Sequence, residues 1–325
     1  MPNFSPFSEQ DKNSNVNHNP GKGGSMFRIG VDLGGTKTEV AIVDSDGYTR
    51  YSRREPTPKL YDSKIRLIAG LVKLAEDSVE SDSLSVGIGH PGSLNPVNGL
   101  MRNSNSAELN GHPLDKDLEA VLGRPVRCAN DANCFALSEA MDGAGIGAKT
   151  IFGAILGTGV GGGLVMNGQI HEGHGLLGGE WGHTSLPWPS IEEIPGPPCK
   201  CGLSGCIESW ISGPAFAADH ARETGNALLS DRIVALAEAD DAAAKASLDR
   251  FQDRLARGLA TVINIVDPDV IVLGGGLSNI PHLAEKTERR LPDYVFSDQM
   301  TTRVVTNVHG DSSGVRGAAW LWPLR

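Results

Sequence analysis

The chain has 325 residues, 39% of them hydrophobic, 21% charged and 5% aromatic, with a formal net charge of −10. That length is long for one core and comfortable for two domains, and the apolar and charged fractions are those of a globular protein. The acidic balance excludes a broad nucleic-acid face, which needs cations against phosphates, and Gly, Asp or Asn breaks every apolar run before it reaches a membrane span.

Residues 1–26 form an N-terminal tail rich in Asn, Ser and Gly. They read as a disordered leader or a vector scar. With no secretory signal ahead of the domain, a reducing, cytoplasmic setting is expected. Alternating Phe27, Ile29, Val31 and Leu33 predict a first strand, Glu39–Val43 a second and Tyr48–Arg54 a third, with a turn at Ser45-Asp46-Gly47. Lys64–Val79 has apolar residues at helical spacing. Leu84–Gly89 and Pro125–Ala129 return to strand, and Ala132–Met141 reads as a helix. The pattern then starts again. Thr150–Leu156 is a strand, Gly157–Gly163 a glycine turn, Leu164–Met166 a strand and Asn167-Gly168 a hairpin turn. Helices are predicted over Gly213–Glu223 and Ala242–Val266, strands over Val270–Leu273 and 303–308, and a last helix capped by Asp311. Strands alternating with helices in two similar halves predict an α/β protein of two domains with a cleft between them.

Two turns suit phosphate. Asp32-Leu-Gly34-Gly35-Thr36-Lys37 and Gly157-Thr158-Gly159-Val-Gly161-Gly162 carry small residues whose successive N–H groups can cradle phosphate oxygens. Thr36 and Thr158 add hydroxyls, and Asp32 is placed to organise a hydrated Mg²⁺ ion. Each turn alone reads first as a tight β-turn; two in equivalent places point to a nucleotide cleft. No G-x-x-x-x-G-K-[ST] is present. Gly157-x-Gly159-x-x-Gly162 matches the dinucleotide fingerprint letter for letter, but that fingerprint must open a helix, and here a strand and hairpin follow.

Asn130-Asp131 closes a strand beside a helix N-terminus. A strand-end aspartate facing a cleft suits a general base that accepts a hydroxyl proton during phosphoryl transfer, with Asn130 beside it to bind a sugar hydroxyl. The plain alternative is a helix cap. Glu180, His183 and Glu208 add polar groups that suit a ligand rich in hydroxyls. His183, Cys199, Cys201 and Cys206 supply the ligand set of a closed tetrahedral zinc site. A disulfide or reduced core thiols are the alternatives, although three clustered cysteines cannot all pair with one another. Cys128 and Cys134 read as small core residues.

These marks resemble the ROK family of sugar kinases and repressors, in the hexokinase–actin–Hsp70 class of ATPases. DLGGTKTE, GTGVGGG, EWGH, CKCGLSGCIE and DPDVIVLGGG carry the likeness from about residue 27 to the end. GHPGSLNP, NDANCFALSEA, LSNI and HGDSSGVRGAAWLWP are similar to the bacterial fructokinases of that family. The resemblance implies a two-domain actin-like (ribonuclease H-like) fold: residues 27–137 plus 311–325 as a small α/β domain, and 138–310 as a large one bearing the zinc loop. It implies Asp131 as the base, and Asn130, Glu180, His183 and Glu208 on the sugar, with Gly92 and Asn105 nearby. Gly30 to Lys37 and Gly157 to Leu164 would bind the phosphates of ATP, with Mg²⁺. Gly274, Gly275 and Gly276 would lie against the adenosine, and a structural Zn²⁺ would sit on His183, Cys199, Cys201 and Cys206.

The expected activity is transfer of the γ-phosphoryl group of ATP to the 6-hydroxyl of a hexose, fructose first. Glucose, mannose and N-acetylhexosamines are the nearer alternatives, and a sugar sensor or chaperone-type ATPase on the same fold is the more distant one. Residues 1–25 are too short and too polar for the helix-turn-helix of the family's repressors, which points away from DNA. Many relatives are dimers, so the resemblance leaves a homodimer open.

Overall fold

The computed structural model describes residues 26–323, so the expected tail lies, but for Met26, outside the described residues. In chain order, the first half runs β1 (Arg28–Leu33), β2 (Lys37–Val43), β3 (Thr49–Pro56), α1 (Tyr61–Ser78), β4 (Ser85–His90), β5 (Ser93–Leu94), β6 (Met101–Arg102), α2 (Leu114–Leu122), β7 (Val126–Asn130) and α3 (Asp131–Asp142). The second half runs β8 (Thr150–Leu156), β9 (Val160–Met166), β10 (Gln169–Ile170), α4 (Glu208–Ile211), α5 (Gly213–Thr224), α6 (Ser230–Glu238), α7 (Ala242–Val266), β11 (Val270–Gly274), α8 (Leu283–Arg290), β12 (Arg303–Thr306) and α9 (Ser313–Trp320).

Two five-stranded sheets share one plan, β3-β2-β1-β4-β7 and β10-β9-β8-β11-β12. In each, a three-strand antiparallel meander opens the sheet and two parallel strands complete it. The repeat read from the sequence is therefore present. Alternation builds the layers. Ile29, Val31 and Leu33 of β1 enter one apolar cluster with α1 and α2. Gly30 and Asp32 face the other side, toward α9, where Gly30 lies against the Val315 carbonyl and Asp32 against Gly314. The second sheet buries Phe152, Ala154 and Leu156 against α5, α6 and α7.

Helices α3 and α9 exchange sheets. α3 follows the first sheet in sequence but packs on β8 and β9, whereas α9 follows the second and packs on β1 and β4. They cross so closely that any side chain at Gly317 would overlap the Cys134 carbonyl. Phe135, Leu137, Ile151, Val272, Ala319 and Trp320 share one buried cluster that spans both halves. The expected domain division at 137/138 falls inside α3.

Several elements differ from the expectation. α1 starts at Tyr61 and β9 at Val160, so Gly161, Gly162 and Gly163 are strand residues and the second turn shrinks to Gly157–Gly159. Asp311 does not cap α9: it lies in a 3-10 turn over Gly310–Ser312, and Ser312 holds the N-cap position. α2, α6 and α8 are eight or nine residues long and bury only two residues each, which leaves little apolar periodicity to read.

Candidate active site

β4 and β7 run parallel, with His90 beside Asn130 at their C-terminal ends. Asn130 is the N-cap of α3. Its Oδ1 accepts the Ala132 N–H at 2.9 Å, and its Nδ2 donates to the Gly92 carbonyl at 3.1 Å. Gly92 turns the chain after β4 at φ +78° with Arg102 and Ser104 close against it, and the next residue, Asn105, is exposed. The cap reading thus belongs mainly to Asn130. Asp131 shares the same amide through Oδ1 at 2.8 Å and keeps its other oxygen free for a ligand.

Asp131 is exposed at the end of β7, yet protein crowds water away from its carboxyl. That loss of water raises its carboxyl to about 6, against the pull of the Ala132 N–H, and the nearby charge of Glu180 adds to the rise. Burial likewise raises Asp32 to about 7, with Asp131 the largest charge acting on it. The two aspartates therefore face one site and repel one another. A hydrated divalent cation beside Asp32 would relieve that repulsion.

The first turn joins β1 to β2, with Gly34 N–H donating to the Lys37 carbonyl at 3.0 Å and Gly35, Thr36 and Lys37 exposed. The second turn joins β8 to β9, with Gly157 N–H donating to the Gly159 carbonyl at 2.9 Å and Thr158 exposed. Gly213, which opens α5, donates to the Gly157 carbonyl at 2.8 Å. Gly275, at φ +79°, lies against the end of β8 at Leu156 and so brings the triple glycine beside this turn. Gly276 is open, and Gly274 packs on the Phe135 ring. Three of the glycines expected on phosphate, and one expected on adenosine, lie against other parts of the chain. Gly30 lies under α9, Gly161 and Gly162 lie in β9 against Ala132 and Trp181, and Gly274 completes β11.

On the far side, Glu180 is exposed immediately before the short turn Trp181–His183. Glu208 opens α4 and is buried. One oxygen accepts the Val160 N–H at 2.9 Å and the other meets Lys200 at 3.2 Å. The metal-ligating atoms of His183, Cys199, Cys201 and Cys206 all lie within 4.8 Å of one another. Cys201 and Cys206 sulfurs are 3.6 Å apart, and Cys199 sulfur is 3.5 Å from His183 Nδ1. A tetrahedron with ~2.3 Å zinc–sulfur bonds has sulfur–sulfur edges of about 3.8 Å, whereas a disulfide needs about 2.0 Å. The set fits a metal and not a disulfide. Burial raises the Cys206 thiol to about 12, with Cys201 and Cys199 adding to it, so its thiolate form needs a cation beside it.

The insert between His183 and Cys199 is held by α7. Glu193 accepts from Arg254 at 2.8 Å and from Arg257 at 2.8 and 2.9 Å, and Arg257 also donates to the carbonyls of Pro187 and Trp188. Ser190 and Glu193 close a capping box, and Trp188 stacks on Tyr294. Neither Glu193 nor Lys200 was singled out in the sequence. Lys200 had one signal, its place between two cysteines.

The ROK family profile matches residues 28–325. An N-acetyl-D-glucosamine kinase of Shigella flexneri is 40% identical over 297 residues, covering 90% of this chain and 98% of its own. A ROK hexokinase from Thermus thermophilus superposes with a TM-score of 0.81 at 30% identity, over 91% of this chain and 97% of that one. A ROK family glucokinase from Streptomyces griseus, solved with glucose and AMPPNP, gives 0.74 at 26% identity, over 91% and 98%. No helix among the described residues is long and apolar enough to cross a membrane. With the doubled sheet, the exchanged helices and the likeness along nearly its whole length, the chain has the two-domain actin-like ATPase fold and belongs to the ROK family.

Proposed function

We propose that the protein is an ATP-dependent sugar kinase acting on the 6-hydroxyl of a hexose, with N-acetyl-D-glucosamine as the preferred acceptor. The observation that carries the reading is Asp131: a carboxyl raised to about 6, with one oxygen free, at the junction of β7 and α3. A base with that affinity is ionised near neutrality and still basic enough to take a proton from a hydroxyl under attack. The sugar lies between Glu180, His183, Glu208 and Asn130. His183 turns Nδ1 toward Cys199, which leaves Nε2 for a hydroxyl. The amides of the two glycine turns receive the phosphates, and Asp32 holds the hydrated Mg²⁺ that accompanies ATP. Charge on the transferring phosphoryl group is met by these fixed donors, the usual origin of most phosphoryl-transfer catalysis. A zinc ion on His183, Cys199, Cys201 and Cys206 would fix the loop that carries the sugar contacts.

Fructose was the acceptor expected from the sequence. The Shigella relative, named for N-acetyl-D-glucosamine and 40% identical along nearly the full chain, moves the reading to an N-acetylated hexosamine. A coupled assay of ADP release against N-acetylglucosamine, N-acetylmannosamine, glucose, mannose and fructose tests it. The reading stands if N-acetylglucosamine has the highest kcat/KM. Another sugar ahead of it removes the acceptor but keeps the chemistry, and no sugar-dependent ADP release removes the kinase.

A further inference from the structure

The chain leaves β3 at Pro56 and runs past the first glycine turn before entering α1. Thr57 is the residue that meets the turn. Its N–H donates to the Thr36 carbonyl at 2.9 Å, its hydroxyl donates to the Gly34 carbonyl at 2.9 Å, and the hydroxyls of Thr57 and Thr38 are 2.8 Å apart. The segment after it is fixed as well. Lys64 is 2% exposed and its ammonium donates to the Pro58 and Lys59 carbonyls at 2.9 and 3.1 Å.

A trans peptide unit points its N–H opposite its C=O. Two carbonyls of the turn are drawn to Thr57, so the N–H groups of the following residues, Gly35 and Lys37, are directed away from it. Both residues are exposed. In an ordinary two-residue hairpin the first carbonyl of the turn accepts from the N–H three residues on. Here the Gly34 carbonyl accepts from the Thr57 hydroxyl instead. The carbonyls that would repel a phosphate are thereby held on the β3 side, and donors are presented on the other.

We propose that Thr57 is a positioning residue of the first phosphate turn, holding the Gly34 and Thr36 carbonyls back so that the turn presents N–H groups to the nucleotide. This rests on the reading of that turn as a phosphate site. Thr57→Val removes the hydroxyl and keeps both the shape and the backbone N–H, whereas Thr57→Ser keeps the hydroxyl. The affinity for Mg-ADP is measured by calorimetry, and KM is measured separately for ATP and sugar. Thr57→Val weakens Mg-ADP binding and raises KM for ATP by about tenfold, the effect of one lost positioning hydrogen bond. KM for the sugar changes less than about twofold, and Thr57→Ser stays within about twofold of the parent throughout. Thr57→Ala repeats the test should the valine variant fold poorly. The proposal is overturned if the valine and alanine variants bind Mg-ADP as the parent does, if serine is as weak as valine, or if sugar and nucleotide constants rise together. Failure of the parent to bind Mg-ADP at all would identify the reading of the turn as the error and remove the proposal with it.

Discussion

The carboxylate of Glu208 accepts the backbone N–H of Val160 at 2.9 Å while its other oxygen faces Lys200 at 3.2 Å. One side chain therefore links the cysteine knuckle to the strand leaving the second glycine turn. Glu180 has no such link, because it stands exposed before the Trp181–His183 turn. Glu208→Gln is expected to raise KM for both the sugar and ATP, by at least about fivefold each, as a charged hydrogen-bond acceptor is lost on both sides. Glu180→Gln raises it for the sugar alone. Initial rates with both substrates varied check this; a purely sugar-side effect of Glu208→Gln would show that the link does not couple the two sites.

Asp131→Asn removes the proton acceptor and leaves a side chain that still accepts from Ala132. We expect kcat to fall by at least about a hundredfold with sugar and Mg-ADP affinity nearly unchanged. Near-normal turnover in this variant would take the base role away from Asp131.

The same carboxyl sets a pH dependence. Burial holds Asp131 at about 6 and Asp32 at about 7. Turnover at low substrate should rise with pH through about 6 as Asp131 loses its proton, and then level off. Stability moves the other way. Both groups bind a proton more tightly folded than unfolded, so their contribution to stability is full below about pH 4 and is lost as pH rises through about 6 to 7. Asp131→Asn should therefore melt above the parent at about pH 8 and lose that advantage at about pH 4. Thermal scans at the two pH values decide it; equal melting shifts at both would contradict the raised carboxyl.

Elemental analysis of the purified protein should find zinc at one per chain, lost in Cys201→Ser and on prolonged chelation. Loss of the metal is expected to weaken sugar binding by at least about tenfold and to lower the melting temperature, because binding energy of the ion is folding energy of the loop. Purified active protein without zinc would refute the metal site.

Glu193 anchors the insert to α7 from a half-buried position. Burial opposes its ionisation, but Arg257 and Arg254 overcome this and hold the carboxyl at about 2. Glu193→Gln takes one of two carboxylates from each guanidinium, Arg254 keeping Asp219 and Arg257 keeping Asp253, and should cost about 2 kcal/mol in urea unfolding. It should also raise KM for the sugar, since His183 and Cys199 flank the insert. Unchanged stability would mean that water reaches the arginines.

Much of the frame was legible because alternation and glycine content are local signals. β1, β2, β8 and β11 announced themselves, and the repeat of strand, glycine turn and strand gave away the doubled plan. α8 was hidden because LAEKTERR buries only Leu283 and Thr287. The candidate site was legible as a set of residue types, but not in which of them the fold packs away. Gly30, Gly161 and Gly162 look like phosphate glycines in a string of letters, yet their neighbours Val315, Ala132 and Trp181 come from elsewhere in the chain. The Glu208–Val160 and Glu193–Arg257 contacts span 48 and 64 positions, and nothing in the local sequence prefigures pairings at that distance.

The crossing of α3 and α9 at Gly317 and Cys134 leaves no room for a side chain. Main chain rests on main chain there, and the side chains of Phe135, Leu137, Ala319 and Trp320 lock together around the contact. Asp131 sits on α3 just three residues before Cys134, so a bulkier residue at Gly317 would push against the helix that holds the carboxylate in place.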